Sequence, residues 1–222
     1  MRLGLIQVAL GVALLGLAWT GGGWAWILAW PAWSGLAVGV AYLGLGGPRI
    51  FGKHASDGRL AWLNVIVLMP YYAVAWTLWQ LKSRALRENP HDEVAPGIFV
   101  GRRPLGAAEI PAAARVVIDM TSEFPRARST RAVERYLCVP TLDMCAPDDA
   151  SFASLLDRVS EEEGPIFVYC AMGHGRSATV AAGLMIRRGV ARDVEEAIER
   201  MTEARPSIYL HAAQRDAVRR AG

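Results

Sequence analysis

Charge is nearly missing from the first third of this sequence. Neither Leu3 to Trp19 nor Trp24 to Leu45 holds an acidic or basic residue, and Leu60 to Leu81 is interrupted only by Asn64, Pro70 and Gln80. Runs of this length are too apolar for the surface of an ordinary soluble domain, which argues against a wholly soluble chain. Cysteine is also scarce. Cys138, Cys145 and Cys170 are odd in number and lack metal-ligand spacing, so they point to neither a disulfide framework nor a zinc site, and a reducing compartment is the simpler setting. A basic face is missing too. The net charge of +3 arises before Lys82, from Arg2, Arg49, Lys53 and Arg59 against Asp57, leaving the remainder balanced. A nucleic-acid partner is therefore set aside, because it needs excess charge on the folded domain itself.

What is present divides the chain. Hydrophobic residues make up 53% of the 222 and there are eight tryptophans. The apolar segments 3–19, 24–45 and 60–81 are each near the ~20 residues a helix needs to cross a bilayer. Trp19, Trp24, Trp26, Trp62, Trp76 and Trp79 lie near their ends, where interfacial aromatics belong. No small-x-small cleavage site follows the first segment, so it reads as retained rather than as a signal peptide. Residues 1–81 are thus expected to be a membrane region, residues 82–95 a polar linker and residues 96–222 a catalytic domain.

Two topologies stay open. Three full crossings put Arg49, Lys53 and Arg59 opposite Lys82, Arg84 and Arg87, which nearly ties the positive-inside count. If the third segment, with Pro70 beside Tyr71 and Tyr72, lies in the interface instead, all of these basic residues face the cytoplasm. A reduced catalytic thiol wants the same side.

Beyond the linker, Val- and Ile-rich runs alternate with helical periodicity. Residues 98–100, 116–120, 136–139 and 166–169 read as buried strands, the last two too continuous for a sheet covered on one side only. Phe152, Leu155, Leu156 and Val159 mark one helical face, and Val194, Ala197, Ile198 and Met201 another, the latter opened by Asp193 with Glu196. This alternation within one compact domain indicates an α/β fold.

The informative stretch is Pro165 to Ser177, which runs from a buried strand through a glycine-containing turn into a helix beginning near Arg176. Such a turn aims successive backbone N–H groups at one point, and the helix dipole adds positive potential there. Ala171, Met172, Gly173, His174 and Gly175 form the expected phosphate cradle, and Arg176 adds a planar two-pronged grip that lysine lacks. Cys170 lies at its base, where a helix N-terminus and a nearby cation can lower a thiol from about 8.5 to roughly 3.5–7.5. Its thiolate is the nucleophile for phosphorus, and Ser177 offers a hydroxyl to the departing sulfur. No metal or cofactor is called for.

These residues resemble the cysteine-dependent protein tyrosine phosphatases, specifically the compact dual-specificity branch, whose signature is Cys, five residues, Arg, then Ser or Thr. The resemblance implies a central, mostly parallel sheet flanked by helices over about Pro96 to Arg220. It also implies an aspartate on a mobile loop upstream of the nucleophile, which VPTLDMCAPDD supplies as Asp143, with Asp148 as the substitute. That carboxyl would protonate the leaving oxygen and then deprotonate water. One departure from the family is Tyr169, where most members carry histidine before the cysteine. TLDMCAP, GRSATVAAGLMI, ARPSIYL and GRRP are similar to a narrower group that includes the mitochondrial phosphatidylglycerophosphate phosphatase.

The expectation is a membrane-anchored protein phosphatase of the dual-specificity or tyrosine type. The alternative is a phospholipid phosphatase with the same mechanism, and the third reading is a tethered phosphate-binding module without catalysis. The cradle has Ala171 and Met172 and no lysine, which favours a simple monoester over a polyphosphoinositide. Arg126, Arg128 and Arg131 are candidate contacts to an anionic substrate or membrane surface, or form a solvated loop. Arg102 and Arg103 share that ambiguity. Asp119 and Glu123 are expected to hold this loop in place, His174 to sit at the rim or near the sulfur, and Cys145 to be an inert thiol or an oxidative partner of Cys170.

Overall fold

A computed structural model describes residues 2–222; Met1, the first residue of the expected membrane region, lies outside them. The chain divides into two compact units, Met1–His54 with Leu60–Leu86, and Ala55–Arg59 with Arg87–Gly222.

In the first unit, α1 (Arg2–Gly21) and α2 (Ala29–Tyr42) are joined by a 3-10 turn and pack along their lengths. Small residues let the backbones approach. A Cβ built on Gly39 would lie 2.7 Å from Val8 and 2.9 Å from the carbonyl of Gly4, the close-approach packing common between membrane helices. Leu3–Gly21 and Gly23–Tyr42 are long and apolar enough to cross a membrane. The expected third segment is broken: α3 (Trp62–Val67) ends at Leu68, and α4 (Met69–Ala85) starts afresh with Pro70 in its first turn. Proline is tolerated there because the first N–H groups of a helix have no intrahelical acceptor.

The second unit is built on a five-stranded sheet in the order β1 (His91–Ala95), β2 (Ile98–Arg102), β5 (Ile166–Cys170), β3 (Val116–Thr121), β4 (Arg135–Thr141). All neighbours are parallel except β1, which pairs antiparallel with β2 at the edge. The residues expected as a linker therefore include the end of α4 and the whole of β1. On one face Val100, Ile118, Val168 and Cys170 share a core with α5 (Asp149–Val159), α6 (Arg176–Arg187), α7 (Val194–Ala204) and α8 (Ala212–Ala221). On the other, Val117, Phe167 and Tyr169 form a smaller cluster against Phe99, Ile110, Val133 and Tyr136. The alternation of side chains along β5 thus sends Tyr169 and Cys170 to opposite faces.

Parallel strands gather their following loops at one end of the sheet, the place where open α/β folds hold their ligands. Here the loops after β2, β3, β4 and β5 bring Arg103, Glu123, Asp143 and the segment Ala171–Gly175 to that end.

Candidate active site

Cys170 ends the central strand β5 opposite Arg102 and is 3% exposed. Its Sγ accepts the Gly173 N–H at 3.2 Å and lies 3.4 Å from Ser177 Oγ. A backbone donor and a hydroxyl thus converge on the sulfur. The loop folds around it because Gly173 takes φ of +77° and passes so close to β2 that a Cβ would lie 2.4 Å from the Gly101 carbonyl carbon. Only glycine fits both conditions.

Four carbonyls of the loop are held from behind. The Arg103 N–H donates to the Ala171 carbonyl, the Tyr209 N–H to that of His174, and Arg205 Nε to that of Gly173. Arg205 was missed in the sequence, since it lies in the stretch ARPSIYL as one arginine among many. It is 2% exposed, and Nη2 also reaches the Met172 carbonyl at 3.2 Å. In a trans peptide the C=O and N–H point in opposite directions, so fixing the Met172 carbonyl outward sends the Gly173 N–H inward to the sulfur.

Arg176 opens α6 and is fully buried. Its Nη1 and Nη2 donate to the two Glu123 oxygens, each at 2.8 Å, and Nη1 also donates to the Thr141 carbonyl at 2.9 Å. Asp143 Oδ1 lies 3.2 Å from Nη2. Burial works against the guanidinium charge, but the carboxylates of Glu123 and Asp143 outweigh it and hold Arg176 firmly protonated. Its Nε is buried and has no hydrogen-bond partner among the described residues.

Asp143 follows β4 with its side chain 59% exposed. The turn is closed by the Cys145 N–H on the Leu142 carbonyl. Met144 in that turn is, among the described residues, the sole non-glycine with positive φ, at 62°. Such a conformation persists only where the surroundings enforce it. Asp148 is instead the N-cap of α5, accepting from the Ser151 N–H at 3.0 Å, which occupies the carboxylate with helix capping.

Tyr169 is wholly buried and donates its hydroxyl to Asp119 Oδ2 at 2.7 Å, as Tyr136 does at 2.8 Å. Burial, followed by the Asp119 charge, raises the Tyr169 phenol well above its ordinary range. Asp119 Oδ1 takes the N–H and hydroxyl of Thr121, so Tyr169 steadies the loop that carries Glu123 from the far face of the sheet. Glu123 does more than hold its loop: it clamps Arg176.

Arg102 pairs with both oxygens of Glu109, and Arg103 donates to the Pro125 carbonyl. Arg126 donates to Thr130 and lies 4.0 Å over the Tyr136 ring, whereas Arg128 and Arg131 are exposed. His174 is paired through Nε2 with Glu88 at 2.8 Å. Cys145 is a free, half-buried thiol, raised by burial from its ordinary value. The structure brings Cys170, the cradle, Arg176, Ser177 and Asp143 to one place and adds Glu123 and Arg205. It engages Arg126 with Thr130 and Tyr136 instead.

A family model described as the Swiss Army Knife protein, DSP-PTPase phosphatase domain, matches residues 100–221. No curated protein matches the sequence. Among solved structures, Tk-PTP in its active form is similar at 21% identity and TM-score 0.50, over 60% of this chain and 95% of that one. The human tyrosine phosphatase-like serine/threonine/tyrosine-interacting protein is similar at 17% and 0.51, over the same shares. PTPMT1 in complex with PI(5)P gives 22% and 0.49, over 60% and 94%. At these identities the first two likenesses establish the fold alone.

Proposed function

The chain belongs to the DSP-PTPase phosphatase domain family, and on that premise we propose that it hydrolyses phosphomonoesters through a cysteinyl-phosphate at Cys170 while anchored to a membrane. The observation that carries this reading is Arg176. Its two terminal nitrogens are committed to Glu123, and a buried Nε donor is left for an acceptor that the described residues do not supply. An unmet buried donor costs about 1–3 kcal/mol, and a phosphate oxygen seated in the cradle would meet it.

In this reading the Cys170 thiolate attacks phosphorus and forms the S–P bond. The ester P–O bond breaks, and Asp143 in its acid form gives the leaving oxygen a proton. Asp143, now a carboxylate, takes a proton from water as that water attacks phosphorus. The S–P bond then breaks, and the Ser177 hydroxyl stabilises the returning thiolate. Phosphate leaves, and both groups return to their starting states.

A second observation favours a lipid monoester over a phosphoprotein. Among the described residues of the catalytic unit, the exposed large apolar side chains are Leu105, Met144 and Tyr209, at 46%, 52% and 60%. Scattered exposed apolar residues are ordinary, but each of these three is, or lies within two residues of, a residue that contacts the loop or Arg176. Leu105 lies two residues after Arg103, whose N–H holds Ala171; Met144 follows Asp143; and the Tyr209 N–H holds His174. An apolar rim around an anion site suits a headgroup whose acyl chains stay in the bilayer. The test is the full chain reconstituted in vesicles with p-nitrophenyl phosphate, a phosphotyrosine peptide and a long-chain lipid phosphomonoester. The Leu105→Ser/Tyr209→Ser double variant is expected to turn over the lipid about tenfold more slowly while keeping its rate on p-nitrophenyl phosphate. Equal losses on the lipid and p-nitrophenyl phosphate would remove the rim's role, and a loss on the peptide alone would make it a protein-docking surface.

The path of the chain supports an orientation for this reading. Residues 55–59, between α2 and α3, fold with the catalytic unit; the Arg126 N–H donates to the Gly58 carbonyl at 2.8 Å. That grouping supports a reading in which residues 60–86 begin and end on one side of the bilayer, with two crossings and an interfacial α3–α4. Arg49, Lys53, Arg59, Lys82, Arg84 and Arg87 then share that side, the cytoplasmic one by the positive-inside rule. A reporter fused after Gly222 is expected to be active in the cytoplasm, and activity only outside it would overturn this placement.

A further inference from the structure

The family match begins at residue 100, yet part of the cradle's support lies before it. The chain leaving α4 presents Glu88, Asn89 and Asp92 to the guanidinium of Arg205. Nη1 donates to the Asn89 carbonyl at 3.0 Å and to Asp92 Oδ2 at 2.6 Å, while Nη2 lies 3.2 Å from Glu88 Oε2. The same Glu88 oxygen is 2.8 Å from His174 Nε2, and Glu88 Oε1 accepts the hydroxyl of Ser207. Burial opposes the Glu88 charge, but the hydrogen bonds from Ser207 and His174, with the charges of His174 and Arg205, bring its carboxyl below the usual range. One carboxylate therefore joins the phosphate loop, through His174, to the arginine that fixes the loop's Met172 and Gly173 carbonyls.

We propose that Glu88, in the segment just after the membrane region, is a positioning residue of the phosphate site. It sets the orientation of the Arg205 fork and ties His174, and through them aims the loop N–H groups at the bound anion. Glu88 touches no reacting atom. The consequence is that phosphate affinity depends on the membrane-proximal segment, and that a catalytic domain cut at residue 96 would lose part of its cradle. The proposal rests on the phosphate-cradle reading above but does not need turnover.

The experiment measures inorganic phosphate binding to the full chain in detergent micelles, in a Cys170→Ser background, with Glu88, Glu88→Gln and Glu88→Ala. Phosphate is expected to bind about tenfold more weakly to Glu88→Ala, the scale of one lost charge-assisted hydrogen bond. Glu88→Gln, which keeps size and hydrogen bonding without charge, is expected to fall between. In the Cys170 protein the change is expected in KM for p-nitrophenyl phosphate more than in kcat, a split that general loss of stability does not produce. If Glu88→Ala does not fold, Glu88→Gln decides. Unchanged phosphate affinity in a folded variant overturns the proposal, as does a lack of phosphate binding in the Glu88 protein. If phosphate affinity follows Glu88 but the Cys170 protein turns nothing over, the hydrolase reading falls and the role of Glu88 stands.

Discussion

Replacing Cys170 with serine is expected to lower kcat/KM for p-nitrophenyl phosphate by about 10⁴-fold or more, while inorganic phosphate still binds. The size follows from the role: loss of a covalent nucleophile removes the reaction path, as it does in other enzymes with covalent intermediates. Phosphate binding is expected to survive because the cradle is assembled by other groups. The loop's carbonyls are held by Arg103, Arg205 and Tyr209, and Arg176 is held by Glu123. Serine is nearly isosteric and still offers an acceptor to the Gly173 N–H. Steady-state kinetics together with a phosphate titration separate the two effects; retained turnover in the serine variant would mean that another group performs the chemistry.

Arg176→Lys is the second large effect. Lysine keeps the charge but cannot reach both Glu123 oxygens, donate to the Thr141 carbonyl and present a further planar N–H to a ligand. The expected loss in kcat/KM is about 10²–10³-fold, the scale for removing a donor that stabilises transition-state charge. The melting temperature is expected to fall as well, because Glu123 is left buried with an imperfect partner. Arg176→Ala breaks the buried pair outright, and a stability loss of about 3–5 kcal/mol is expected, readable by denaturant unfolding. If Arg176→Lys retains full activity, the Nε donor has no part in binding substrate.

The strand, turn and helix start that hold Cys170 and Arg176 are legible because they lie in one continuous stretch, where a buried strand, a glycine turn and a helix start each leave a local signature. The clamp on Arg176 is not. Glu123 lies 53 residues from it in sequence, and nothing in TSEFPRARS distinguishes a carboxylate facing a buried guanidinium from one facing water. A still longer separation hides the pairing of Arg205 with Glu88, which meet 117 residues apart. Strand β1 reads as linker in the sequence because HDEVA is charged and lacks an apolar run; an edge strand needs little apolar surface, and polar residues there discourage pairing with other chains. The break after Val67 was signalled by Pro70, but composition alone does not separate a helix start from a kink. Tyr169 departed from the family pattern, and its partner became visible only when the parallel register set Asp119 beside it.

The central claim is that phosphate passes through the sulfur of Cys170. Full-length protein mixed with substrate, quenched in acid within the first turnovers and examined by mass spectrometry should carry phosphate on the Cys170 peptide. Asp143→Asn should prolong that species, because the attacking water then lacks its base. Substrate turnover without phosphate on Cys170 at any quench time, in both the native and the Asp143→Asn protein, would contradict the account.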